Sequence, residues 1–171
     1  MKKHIIIISG IIFTLLFLTL ATGIYYKINE KHSEKAKKLP YFTLLTIDRK
    51  NFNTSEIRTG PLLVVHFNPE CDHCKYEIKG IVESDIPSMG FRILLITQAP
   101  KDSVINFCRN YSISKYSSIT VLFDSSGAFC EKLKSRVIPS NYLYDKNLKL
   151  IKVLEGEYKT ETIIKYLSGS E

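Results

Sequence analysis

"LLVVHFNPECDHCKYEI", Leu62 to Ile78, carries the decision about the fold. Leu62 to Asn68 is an apolar run interrupted only by His66, and it has the length of a central strand buried on both faces. From Cys71 to Ile86 the apolar positions Ile78, Ile81, Val82 and Ile86 fall at helical spacing, and Pro87 ends the segment. Cys71 therefore stands at a strand-to-helix junction, with Cys74 one helical turn later. Two thiols in that setting can be a redox couple, half of a metal site, or small buried residues.

The junction favours chemistry. A thiol at a helix start faces unpaired backbone N–H groups and the positive end of the helix dipole, which favour the thiolate. Cys74 is close enough to attack a mixed disulfide formed at Cys71, so the two-residue separation makes a reversible dithiol/disulfide pair geometrically natural. His73 adds to thiolate stabilisation, whereas Glu70 and Asp72 oppose it.

Around this junction the chain alternates strand and helix. Strands are expected at Tyr41 to Ile47, Phe91 to Thr97 and Ser118 to Asp124, and helices at Lys101 to Tyr111 and Gly127 to Leu133. The helix from Lys101 directs Val104, Ile105, Phe107 and Cys108 toward the core. "SNYLYD" and "LKLIKVLEG" read as a hairpin turning at "DKN", with Tyr142 and Tyr144 on one face, and "KTETIIKYL" closes the chain as an amphipathic helix. "DRKNFNTSEIRTGP" reads as irregular. The order βαβαβα followed by a hairpin and a helix gives an α/β class with a mixed central sheet flanked by helices.

Composition narrows the function classes. With 44% hydrophobic residues and four cysteines among 171 residues, the chain builds a core without a disulfide scaffold. The net charge of +7 is unevenly placed: residues 1–38 supply +5 and residues 39–171 only +2. The folded part has no basic stripe, so nucleic acid is not an expected partner.

Ile5 to Tyr26 contains no charged residue, roughly the 20 residues that cross a hydrocarbon core as a helix. It exceeds the about 7–15 apolar residues of a signal peptide, and "LATG" is a poor cleavage site. Residues 1–26 are therefore expected to be an N-terminal membrane anchor or uncleaved signal, residues 27–38 a polar linker, and residues 39–171 the folded domain. Lys27, Lys31, Lys35, Lys37 and Lys38 after the span outnumber Lys2 and Lys3 before it, which the positive-inside rule reads as a cytoplasmic domain.

"LLVVHFNPECDHCKYEI", followed much later by "RVIPSNYLYDKNLKLIKVLEG", resembles the thioredoxin fold, and specifically the membrane-anchored, extracytoplasmic TlpA/ResA-type thiol-disulfide oxidoreductases of bacteria. The resemblance covers about residues 39–168. It implies Cys71 as nucleophile, Cys74 as resolving thiol, and Pro139 as a cis-proline before the penultimate strand, with the bond from Ile138 beside the substrate. "SITVLFDSSGAFCEKL" resembles the extra βα insertion of that type, with Asp124 and Gly127 at its strand-end turn. The resemblance further implies protein thiol/disulfide substrates, an upstream electron donor, no cofactor, and a single-pass anchor in the cytoplasmic membrane with the domain facing the periplasm or cell exterior, against the lysine count.

The chain departs from that pattern in three places. Glu70 stands where a Trp is usual. No acidic residue occupies the buried strand that holds a proton acceptor in thioredoxins; His66 either assists Cys74 or is a satisfied structural residue, the commoner state of a strand histidine. A histidine just before the second cysteine resembles oxidising members of the fold, whereas the anchored architecture resembles reductases; a reductase is expected. Cys108 reads as a small hydrophobe, with a Cys108–Cys130 disulfide or a relay thiol at Cys130 as alternatives. A metal-binding or metallochaperone function through Cys71, His73 and Cys74 is the competing reading, although Cys108 and Cys130, 22 residues apart, supply no second ligand pair. A redox-inert interaction domain on the same scaffold is the third. A peroxidase is weaker, because the Pro-x-x-x-Thr/Ser-x-x-Cys context is missing at Pro69.

Overall fold

Leu62–His66 is buried at every position because it lies inside a seven-stranded sheet, paired along both edges. The computed structural model describes residues 16–20, 22–23 and 38–169. The anchor and linker expected over residues 1–38 fall largely outside them; residues 16–20 and 22–23 are helical, and among the described residues no helix is long and apolar enough to cross a membrane. The chain divides into two units, Met1–Lys37 and Lys38–Glu171.

The second unit runs β1 (Thr43–Thr46), β2 (Asn51–Asn53), β3 (Leu62–His66), α1 (Asp72–Glu83), β4 (Arg92–Thr97), α2 (Lys101–Asn110), β5 (Ile119–Phe123), α3 (Ala128–Leu133), β6 (Ser140–Tyr144), β7 (Leu150–Glu155) and α4 (Thr160–Leu167). Strand order is β2-β1-β5-β4-β3-β6-β7. Strands β3, β4 and β5 are parallel, and β1, β2, β6 and β7 pair antiparallel, so the sheet is mixed as expected.

Alternation along the strands divides the core into two layers. Leu63, Val65, Phe67, Ile93, Leu95, Ile119, Val121 and Leu143 point into the layer closed by α1, α2 and α4. Leu62, Val64, Leu94, Ile96, Leu122, Tyr142 and Tyr144 point into the layer closed by Phe129 of α3. Helix α1 contributes Ile78 and Ile81, each fully buried; a side chain of that size contributes about 1.5–3 kcal/mol by leaving water.

Three local readings need correction. The stretch read as irregular contains β2, which pairs Thr43↔Asn53 with β1. "NFN" is too short and polar to show strand alternation, and the pairing is imposed by the turn at Arg49, whose φ is 61°. Helix α1 stops at Glu83 instead of reaching Ile86, because Ser84 is extended and its hydroxyl donates to the Ile81 carbonyl (2.7 Å) and accepts the Ile86 N–H (3.2 Å). Along α2, Val104 and Phe107 are fully buried, while Ile105 and Cys108 are only half-buried at the margin.

Candidate active site

The loop leaving β3 delivers Cys71 to the start of α1. Cys71 is the N-cap residue: its N–H donates to the Asn68 carbonyl (3.1 Å) and its carbonyl accepts the Lys75 N–H (3.0 Å). Its side chain makes no capping bond, which leaves the sulfur at the end of α1 where backbone N–H groups lack intrahelical partners. Cys71 is half-buried and Cys74 fully buried, and both are free thiols.

Cys74 follows Cys71 by one helical turn, near enough for the Cys71 sulfur to act on its thiol. Burial pushes Cys74 up to about 12, and the Cys71 sulfur and the Glu77 charge push the same way, while a hydrogen bond from the Asn68 backbone opposes them. A thiol held so firmly in its protonated form needs a base before it can act.

The structure supplies an acid for that role on the helix, not on the strand. Glu77, one turn after Cys74, is only 1% exposed. Its carboxylate accepts hydrogen bonds from Asn141 Nδ2 (2.9 Å) and the Tyr158 backbone N–H (2.7 Å). Burial raises Glu77 to about 7; the two hydrogen bonds oppose the rise and Glu157 adds to it. The sequence signal was present: a glutamate falls among Cys74, Ile78, Ile81 and Val82 on the apolar face of α1, where a charge is unexpected unless it works.

Pro139 follows Ile138 through a cis bond, and a second cis bond joins Gly60 and Pro61. Because Ser140 of β6 pairs with His66 of β3, Pro139 lies at the same sheet end as the loop to Cys71. Ile138 packs against the same core layer as Cys71.

One short loop touches Pro139, His73 and Glu77. After β7, Gly156 (φ 91°) donates its N–H to the Pro139 carbonyl (2.8 Å), Glu157 Oε2 accepts the His73 Nδ1–H (2.7 Å), and Tyr158 N–H reaches Glu77. Gly80 lets this loop and α4 approach α1, since a Cβ there would meet Thr160 Oγ1 at 2.6 Å. Asp72, the other residue between the cysteines, bonds Lys75 Nζ (2.9 Å).

His66 faces the opposite layer. Its ring hydrogen-bonds Ser135 Oγ through Nδ1 (2.7 Å) and Cys130 Sγ through Nε2 (3.4 Å), and its edge meets Phe129. Burial lowers it, with Asp124 opposing, so it is the satisfied structural residue and not a partner of Cys74. Cys130 is pushed up to about 11 by burial and then by Asp124. Asp124 Oδ2 caps α3 by accepting the Phe129 and Cys130 N–H groups, and Gly127 takes the left-handed turn before it. Cys108 packs against the motif-side layer and is pushed up to about 11 by burial, whereas Cys130 packs on the other side. The sheet separates them, so a Cys108–Cys130 disulfide does not form.

Residues 36–153 match the family model described as the AhpC/TSA family. The chain is 23% identical over 172 residues to a thiol-disulfide oxidoreductase ResA of Bacillus thuringiensis subsp. konkukian, covering 98% of this chain and 97% of that protein. Among solved structures, it is similar to a secreted Mycobacterium tuberculosis disulfide oxidoreductase homologous to E. coli DsbE, at 14% identity and a TM-score of 0.66, over 75% of this chain and 95% of that one. The exposed lipoprotein thioredoxin Etrx1 of Streptococcus pneumoniae is similar at 22% identity and a TM-score of 0.61, over 76% and 99% of the two chains. These likenesses establish a thioredoxin-like fold.

Proposed function

This chain belongs to the AhpC/TSA family, and from that premise we propose that it is a thiol-disulfide oxidoreductase that reduces protein disulfides through Cys71 and Cys74, anchored through residues 1–26 with its domain outside the cytoplasm. The observation that carries the reading is the placement of Cys71 at the N-cap of α1 with Cys74 fully buried one turn later and a buried acid one turn behind that.

The Cys71 thiolate attacks one sulfur of a client disulfide; the other client sulfur leaves as a thiolate and takes a proton. Cys74 then gives its proton to Glu77, attacks the Cys71 sulfur, and releases the second client thiolate. A glutamate near 7 is matched to a proton transfer at neutral pH, far better than an exposed carboxylate near 4. Ile138 and Pro139 border the client chain. An upstream donor dithiol restores the reduced pair, and the two sulfurs carry the electrons without a cofactor. The ResA relatives are named for this activity, and the long uncharged stretch from Ile5 supports the anchor.

The metal reading draws no support from the geometry. Among the described residues no three His, Cys, Asp or Glu side chains are grouped to hold a metal ion, and the His73 ring is engaged by Glu157.

Peptide mapping of the full chain after equilibration with glutathione at graded ratios tests the proposal. A Cys71–Cys74 disulfide that forms and opens in one two-electron step is expected, with Cys108 and Cys130 remaining free. Stoichiometric zinc or copper and no such disulfide would reverse the ranking.

A further inference from the structure

The two residues between the cysteines each have a side-chain partner in the structure. Asp72 is bonded to Lys75 on its own helix. His73 is bonded to Glu157, 84 residues away on the loop between β7 and α4. The His73 side chain is 75% exposed, and Glu157 is one-third exposed. Water already solvates such a ring, so the contact is not there to rescue a buried group.

The position of Glu157 points to a different task. It sits between Gly156, which holds the Pro139 carbonyl, and Tyr158, which holds Glu77, so its backbone is fixed on both sides by the site itself. A protonated imidazole beside the start of α1 would add to the helix dipole in stabilising a Cys71 thiolate, and a stabilised thiolate makes a dithiol pair more oxidising. A carboxylate 2.7 Å from Nδ1 cancels most of that field and fixes the ring.

We propose that Glu157 is a positioning residue that sets the redox direction of the pair, restraining and neutralising His73 so that this Cys-Asp-His-Cys site stays reducing. The inference rests on the dithiol reading above. Reduction adds two electrons and two protons to the Cys71–Cys74 disulfide; they come from two glutathione thiols, which leave as glutathione disulfide. Glu157 shifts that equilibrium toward the disulfide by denying the Cys71 thiolate a cationic neighbour. Of the other charged groups nearby, Asp72 is held by Lys75, Glu70 precedes Cys71 with its N–H donated to Asn68 Oδ1 and is unchanged in every variant, and Glu77 lies behind Cys74 with its carboxylate bound by Asn141 and Tyr158.

The test is the glutathione equilibrium constant of the full chain at pH 6. It is measured for wild type, Glu157→Gln, His73→Ala and the double variant, with Cys71 thiolate absorbance recorded against pH. Gln keeps an acceptor for His73 and removes only the charge. Glu157→Gln should favour the dithiol by about fivefold, equivalent to about 20 mV less negative, and move the thiolate absorbance to lower pH. In the His73→Ala background the same substitution should change the constant by less than about twofold. An unchanged constant in Glu157→Gln overturns the proposal, and so does an equal shift with and without His73. Wild type that forms no Cys71–Cys74 disulfide at any glutathione ratio removes the dithiol reading itself, an outcome distinct from a dithiol indifferent to Glu157.

Discussion

Each face of the central sheet holds a cysteine with a buried acid beside it, and the proposed function assigns exchange to only one of them. On the α1 side are Cys74, Glu77 and Asn141; on the α3 side are Cys130, Asp124 and His66. Burial raises both thiols. The difference lies in what surrounds them. Cys74 lies one turn after a second thiol at a helix start, and burial raises its acid to about 7. Cys130 has no partner thiol, its acid is committed to two backbone N–H groups of α3, and its histidine is held by Ser135. On the proposed reading a thiol, an acid and an imidazole are not sufficient for exchange; a second thiol and a titrating base are needed as well.

Removing the base should break the contrast most visibly. Glu77→Gln should slow release of the client from the mixed disulfide by about 10–100-fold, measured by stopped-flow turnover of a disulfide substrate, and abolish the rise in rate through pH 7. The same variant changes stability. Glu77 titrates near 7 in the folded chain against an ordinary 4.5, so the folded state binds the extra proton between those values. That contribution is complete below about pH 4.5 and is lost as pH rises through 7, about 3 kcal/mol in all by linkage. Denaturant titrations across pH 4–8 should show this falling contribution in wild type and its loss in Glu77→Gln.

The smallest effect is expected on the other face. Cys130→Ala should leave disulfide reduction within about twofold of wild type and cost about 1 kcal/mol in denaturant unfolding, because it removes one weak S–H contact to His66. A large loss of turnover in that variant would make the two faces functionally alike.

The sequence made the motif side legible in outline because its signals are local. The apolar run Leu62 to Asn68 and the helical spacing of Ile78, Ile81 and Val82 each follow from a few neighbouring residues. What escaped depends on contacts across the fold. Glu77 was passed over because the acid was sought on β3, and its partners Asn141 and Tyr158 lie 64 and 81 residues away. The Glu157–His73 bond is invisible for the same reason, which left the charge balance around Cys71 unresolved. Strand β2 is specified by its partner β1 more than by "NFN". The separation of Cys108 from Cys130 required knowing which face α3 covers, a matter of topology and not of spacing.

The central claim, that Cys71 attacks client disulfides and Cys74 releases them, is tested most directly by expressing Cys74→Ala in cells and isolating mixed disulfides by non-reducing electrophoresis. Adducts that accumulate through Cys71, vanish on reduction and are missing in Cys71→Ser/Cys74→Ala are the predicted result; a Cys74→Ala chain that captures no disulfide-linked partner would contradict the account.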